Sequence, residues 1–179
     1  MEASQTPGRA TWTPLTQLYF GLLAVRLLAY VFQYGAPDDV VAQPAFQTAH
    51  LYVHVVGIGA GVVVGLVWLH RAWTRVPPEH RITSSGRRVE PRQAALRLLI
   101  PVYDLYWQFV ATWGLTDAID HQIAAEPRRR LASAPQTLAL VCCIVQLIPV
   151  ANLLVSPLFW GAFMLRVDAV QADLDRRAK

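Results

Sequence analysis

The sequence predicts an all-α, polytopic integral membrane protein with four membrane-embedded helical elements, the last two broken at Pro101 and Pro149. Three observations lead there. Hydrophobic residues make up 54% of the 179 residues and charged residues only 16%, against ~25% charge in an ordinary soluble domain. The apolar residues come in long runs without a polar face. Finally, a heptapeptide recurs: Leu99-Ile100-Pro101-Val102-Tyr103-Asp104-Leu105 returns forty-eight residues on as Leu147-Ile148-Pro149-Val150-Ala151-Asn152-Leu153. Proline removes a backbone donor and clashes with the preceding turn, so a helix arriving there kinks or stops. Asp104 and Asn152 then stand where an N-cap would open a new helix. Each copy reads as a helix–break–helix unit.

Residues 1–14 form a polar N-terminal tail, 15–175 a single helical membrane domain, and 176–179 a basic C-terminal end. The first span is 15–34, about 30 Å at helical rise and enough for the hydrocarbon core. Tyr19, Tyr30 and Tyr34 near its ends suit the interfacial belts. This run is too long for a signal-peptide core, carries Arg26 and lacks a small-x-small cleavage site. Residues 35–50 read as a loop with Asp38 and Asp39 and no Lys or Arg, which by charge belongs outside. The second span is 51–73, where Gly57, Gly61 and Gly65 form a glycine zipper that lets another helix backbone approach. Trp68 and Trp73 mark its inner interface.

The loop 74–95 is the most basic, with Arg75, Arg81, Arg87, Arg88 and Arg92, and should be cytoplasmic. The first broken unit occupies 94–125, a turn with Arg128-Arg129-Arg130 follows at 126–135, and the second unit occupies 136–175. Both termini are expected in the cytoplasm. Two arrangements of the broken units compete. As kinked helices, both units cross the membrane. As re-entrant hairpins, they dip in and return, which keeps every basic cluster inside.

The net charge is +4, carried almost wholly by arginine. The basic residues flank apolar segments, so the positive-inside rule accounts for them without nucleic acid. The cysteines, Cys142 and Cys143, are adjacent on a helical run and point apart, which suits small buried thiols rather than a disulfide or metal site.

The run Pro91-x-x-Ala94, Leu99-Ile100-Pro101-x-x-Asp104-Leu105-Tyr106-Trp107-x-Phe109 and Gly114-Leu115 resembles a segment of small, uncharacterised bacterial multi-span membrane proteins. In these an I-P-x-x-N-L-Y-W-x-F segment recurs, usually with Asn where this chain has Asp104. The resemblance implies a bacterial multi-span membrane protein and carries no activity with it. The exchange puts an ionisable group where the group has a neutral cap.

Arg26 is the sharpest anomaly, since arginine at a helix centre costs about 2.5–3.5 kcal/mol on insertion scales. It should face the bundle interior and a partner. Asp104 is the expected partner, with Asn152 and Gln146 completing an intramembrane polar site. His50 and His54 lie one turn apart on one face, which makes them metal or haem candidates, although membrane bis-His sites pair histidines across helices. No nucleophile elbow, phosphate loop, Cys-x-x-Cys pair or zinc-protease motif occurs. The expectation is therefore a non-enzymatic membrane protein without cofactor in the bacterial inner (plasma) membrane. Its partners are the bilayer and other membrane proteins or copies of itself, and its role is that of an accessory or interaction subunit. The alternatives are a small transporter or channel-like protein using the two broken helices, and a haem- or metal-binding subunit through His50 and His54.

Overall fold

The computed structural model of the chain describes residues 12–125, 133–149, 152 and 155–177. These are mostly helical, with a single isolated β-bridge between Ile82 and Arg88 and no strand among the described residues. Proline sets most of the helix starts. Helix α1 (Pro14–Gly35) begins with Pro in its first turn behind the N-cap Thr13, whose hydroxyl accepts the Thr16 N–H at 3.3 Å. After a short α2 (Asp38–Val41), Pro44 opens α3 (Pro44–Arg75). Residues 44–50, expected in a loop, are therefore helical, because Pro at the first helical position sacrifices only a donor that had no partner. Helix α3 stops where Pro77 forces Val76 into an extended conformation, φ −71° and ψ 126°.

Pro91 opens α4 (Pro91–Leu96), which tightens into a 3-10 turn, Arg97–Leu99, and ends at the first proline break. Beyond it α5 (Tyr103–Gln108), a π-helical turn (Phe109–Trp113) and α6 (Gly114–Ala124) run on as one helix. Then come α7 (Gln136–Gln146) and α8 (Ser156–Arg177). Helix α8 continues past residue 175, where a separate basic end was expected. The Arg128-Arg129-Arg130 run, most of the N-terminal tail, Ala178 and Lys179 lie outside the described residues.

Two helices, α1 and α3, are long and apolar enough to cross a membrane. Only 22% of the most apolar window of each is buried within the protein. The rest presents Val25, Leu28, Val31 and Phe32 on α1 and Leu51, Val55, Val56 and Val63 on α3 to the surroundings. The two helices run antiparallel as a hairpin, with Arg26 against Gly57 and Tyr30 against His54. Of the four membrane-embedded elements expected from sequence, two reach spanning length among the described helices. Helix α7 has only 11 residues, about 16 Å at helical rise. The helix from Tyr103 to Ala124 carries Asp117, which is buried, and Asp120 and His121.

Helix α3, at 32 residues, is about 48 Å long and exceeds a bilayer's ~30 Å core. Its second half enters the protein core. Trp68, Leu69 and Trp73 are buried there with Trp107, Leu115, Phe163, Met164 and Val167. Trp68 and Trp73 are thus core residues rather than interface markers. Their indole N–H groups are satisfied internally, by Asp168 Oδ1 at 3.1 Å and the Ala111 carbonyl at 2.8 Å. The basic loop also belongs to this body. Thr83 lies so close to α6 that a Cβ on Gly114 would sit 2.6 Å from its methyl carbon, and the Ser84 N–H donates to Asp117 Oδ2 at 3.2 Å.

The described backbone bonds at the two heptapeptide copies also correspond. In the first copy Ile100 N bonds Arg97 O at 3.3 Å and Asp104 N bonds Ile100 O at 3.0 Å. In the second, Ile148 N bonds Val145 O at 3.3 Å and Asn152 N bonds Ile148 O at 2.7 Å. The forty-eight-residue correspondence extends outward: Ala94 and Cys142, Leu115 and Phe163, and Ile119 and Val167 are buried in pairs. Asp104 is not the N-cap, however. That place is taken by Val102, and Asp104 sits in the first turn of α5, where its Oδ1 accepts the Leu105 N–H at 2.9 Å. The helix starts two residues earlier than expected because Val102 itself makes the turn, at φ 68° and ψ −42°.

Candidate functional site

The two broken units and the hairpin border a half-open cavity of about 510 Å³. Four pairs of its lining residues are related by the forty-eight-residue offset: Leu98 and Gln146, Asp104 and Asn152, Gln108 and Ser156, Thr112 and Trp160. Asp104, Gln108 and Thr112 recur every four residues, so successive turns bring them to one helix face. Asn152, Ser156 and Trp160 repeat that spacing in the second unit. The first proline break therefore leads into a helix whose Asp104, Gln108 and Thr112 line the cavity, and Asn152, Ser156 and Trp160 line it from the second unit.

The units are also tied to each other. Gln108 Nε2 donates to the Cys143 carbonyl at 3.3 Å, and the Cys143 thiol lies 3.6 Å from the Gln108 carbonyl. Both cysteines are buried free thiols.

The hairpin forms the remaining wall through Tyr19, Leu22, Leu23 and Arg26 of α1 and Ile58, Gly61, Val62 and Leu66 of α3, among others. Arg26 is 8% exposed. Its stem crosses α3 at Gly57, where a Cβ would meet Arg26 Cγ at 2.8 Å and Cδ at 3.0 Å. Gly65 makes similar room for the Trp160 indole, whose nitrogen would lie 3.1 Å from a Cβ there. Gly61 does not follow the zipper expectation, because a Cβ at that position would meet nothing within 4 Å. The stripe therefore admits two side chains, at Gly57 and Gly65, and leaves open space between them.

All four residues expected to form an intramembrane polar site, Arg26, Asp104, Gln146 and Asn152, line this cavity, and so does Pro149. The direct Arg26–Asp104 ion pair expected from sequence is not among the ion pairs of the described residues, which join Arg75 to Asp168, Arg81 to Glu90 and Arg176 to Asp173. Asp104 engages its own helix instead. Pro101 lies outside the lining, one turn before Asp104, and acts through the turn it imposes.

His50 and His54 lie away from the cavity, toward the hairpin tip. Their ring centroids are 4.1 Å apart and Tyr30 packs edge-on against His54 at 4.2 Å. Both His54 ring nitrogens are shielded from solvent and have no hydrogen-bond partner among the described residues. No group of three or more His, Cys, Asp or Glu that could hold a metal forms among the described residues.

Sequence reasoning missed Gln108, Thr112, Ser156 and Trp160. The repeat carried the signal: one and two helical turns beyond Asp104 and Asn152 reach all four. It also missed Asp168, which is 2% exposed. Its Oδ2 accepts from the Thr13 and Thr16 hydroxyls at 2.8 and 2.6 Å, and its Oδ1 faces the Trp68 indole at 3.1 Å and Arg75 Nη1 at 3.5 Å. This carboxylate pins both hairpin helices to α8.

No match to this chain is found among protein-family models, curated proteins or solved structures. Its chemistry is read from its own geometry. Among the described lining residues no Ser or Thr hydroxyl hydrogen-bonds a carboxylate or imidazole, and the charged residues are Arg26 and Asp104. A buried cation, several neutral hydrogen-bonding groups and apolar walls suit the holding of a molecule.

Proposed function

We propose that this protein is a non-enzymatic integral membrane protein of the bacterial inner membrane, working as an accessory or interaction subunit of a membrane assembly. The observation that carries the reading is the apolar surface of the α1–α3 hairpin. Exposed apolar surface on this scale needs lipid or a protein partner to cover it. In this reading the hairpin supplies two spans, and residues 36–43 between them lie outside. The helical body lies at the cytoplasmic face, where Arg71, Arg75, Arg81, Arg87 and Arg88 satisfy the positive-inside rule. Both termini are then cytoplasmic. Around the proline breaks, exposed Leu99, Ile100, Leu147 and Ile148 dip shallowly into the same leaflet, as in the re-entrant arrangement.

The test has two parts. The chain should stay with membranes through alkaline carbonate washing. Gentle solubilisation from native membranes should then recover it in a complex of defined stoichiometry. Release by carbonate would remove the membrane reading, and recovery as an isolated monomer would remove the subunit reading. A second reading, a small transporter, draws on the two equivalent broken units that flank one cavity, an arrangement transporters use for binding sites. Solute flux into liposomes containing the purified chain would favour it.

A further inference from the structure

We infer that the cavity between the two broken units and the hairpin is a binding site for a phosphate-bearing amphiphile, with the phosphate against Arg26 and an acyl chain along the apolar wall. The inference rests on the membrane reading of the hairpin. Its basis is the distribution of chemistry inside one volume. Arg26 brings a planar guanidinium, whose shape suits a phosphate's oxygens better than a point charge does. It is held deep, and its stem has room only because position 57 lacks a side chain. Gln108, Gln146, Asn152 and Ser156 bring neutral hydrogen-bonding groups, which suit ester and glycerol oxygens. Leu22, Ile58, Val62 and Leu66 make the wall apolar on the hairpin side.

The volume of about 510 Å³ lies in the range of small-molecule sites, about 300–1,000 Å³. A Cβ at Gly61, which lines the cavity between the positions of Gly57 and Gly65, would meet only open space. Asp104 on the opposite wall sets the sign of a control. As a carboxylate it repels an anionic headgroup, so Asp104→Asn should tighten binding.

The experiment uses the full chain in a neutral detergent. Thermal unfolding and native mass spectrometry follow titration with short-chain phosphatidylglycerol, short-chain phosphatidylcholine, and inorganic phosphate. Phosphatidylglycerol should bind and stabilise the chain in preference to phosphatidylcholine. Loss of a charge-assisted contact in Arg26→Gln should weaken it by roughly tenfold or more. Gly61→Leu, which fills open space in the cavity and leaves the Arg26 charge in place, should also abolish binding and keeps the test valid if Arg26→Gln fails to fold. Stabilisation by millimolar inorganic phosphate, lost in Arg26→Gln, would support the anion site and assign it to a free anion in place of a lipid. Phosphatidylglycerol binding that is unchanged in both variants would overturn the inference. A chain that resists carbonate yet binds none of the three probes would overturn the inference alone, whereas a chain released by carbonate would remove the membrane reading beneath it.

Discussion

Asp168 is the residue on which the body and the hairpin meet. A carboxylate buried this deeply survives only when its oxygens are supplied with donors. Here the donors come from α1, through Thr13 and Thr16, and from α3, through Trp68 and Arg75. Replacing it leaves buried hydroxyl and indole donors without an acceptor, and each such group costs about 1–3 kcal/mol. Asp168→Ala should therefore destabilise the protein by about 3 kcal/mol, a fall of roughly 6–12 °C in the unfolding midpoint for a chain of this size. Thermal unfolding in detergent checks this, and a shift under 2 °C would mean that packing alone holds α1 to α8. Asp104 is the opposite case. Its carboxylate faces a first-turn N–H that Asn can also satisfy, so Asp104→Asn should change stability by only a few tenths of a kcal/mol.

At the scale of the element, two features of one helix and one turn give predictions of opposite sign. Gly57 and Gly61 lie one turn apart on α3, yet a Cβ meets Arg26 at the first and open space at the second. Gly61→Ala should stabilise α3 by up to about 1 kcal/mol through helix propensity. Gly57→Ala should lose that gain and more, because the contact is with the root of the arginine and not with its mobile end. Paired unfolding measurements check the order, and a Gly57→Ala variant as stable as Gly61→Ala would remove the crossing of Arg26 over α3. The other feature is Val102. A β-branched residue at φ 68° and ψ −42° occupies strained backbone near the rare γ-turn region. Val102→Gly should therefore stabilise the first proline break by about 1 kcal/mol. A loss of stability on that substitution would show that the turn depends on the valine side chain.

At the scale of the molecule, the charge asymmetry and the hairpin make one prediction about orientation. Cysteine placed at Asp39, between the hairpin helices, should react with an impermeant thiol reagent from the periplasmic side of intact cells. Cysteine at Ser85, in the loop anchored on α6, should react only after the membrane is opened. Both positions are exposed, whereas the native Cys142 and Cys143 are buried and should stay silent. Labelling of Ser85→Cys in intact cells would invert the orientation.

What the sequence determined by itself is what local composition and short-range sterics control. Apolar runs of spanning length located α1 and α3, and the prolines located the breaks near 101 and 149, since neither property needs a distant partner. The repeat announced two equivalent units before any helix was placed. The polar residues Arg26, Asp104, Gln146 and Asn152 stood out because each interrupts an apolar stretch. Tertiary structure decided the rest. Trp68 and Trp73 read as interface markers by composition, but the second half of α3 carries them into the core of the body. Gly57, Gly61 and Gly65 are identical in sequence, and only the neighbours supplied by α1 and α8 make the first and third into contacts and the second into open space. Asp168 lies in α8, and its partners come from α1 and α3, far away along the chain. Spacing within one helix fixes which residues share a face, but the packing of separate helices fixes what that face meets.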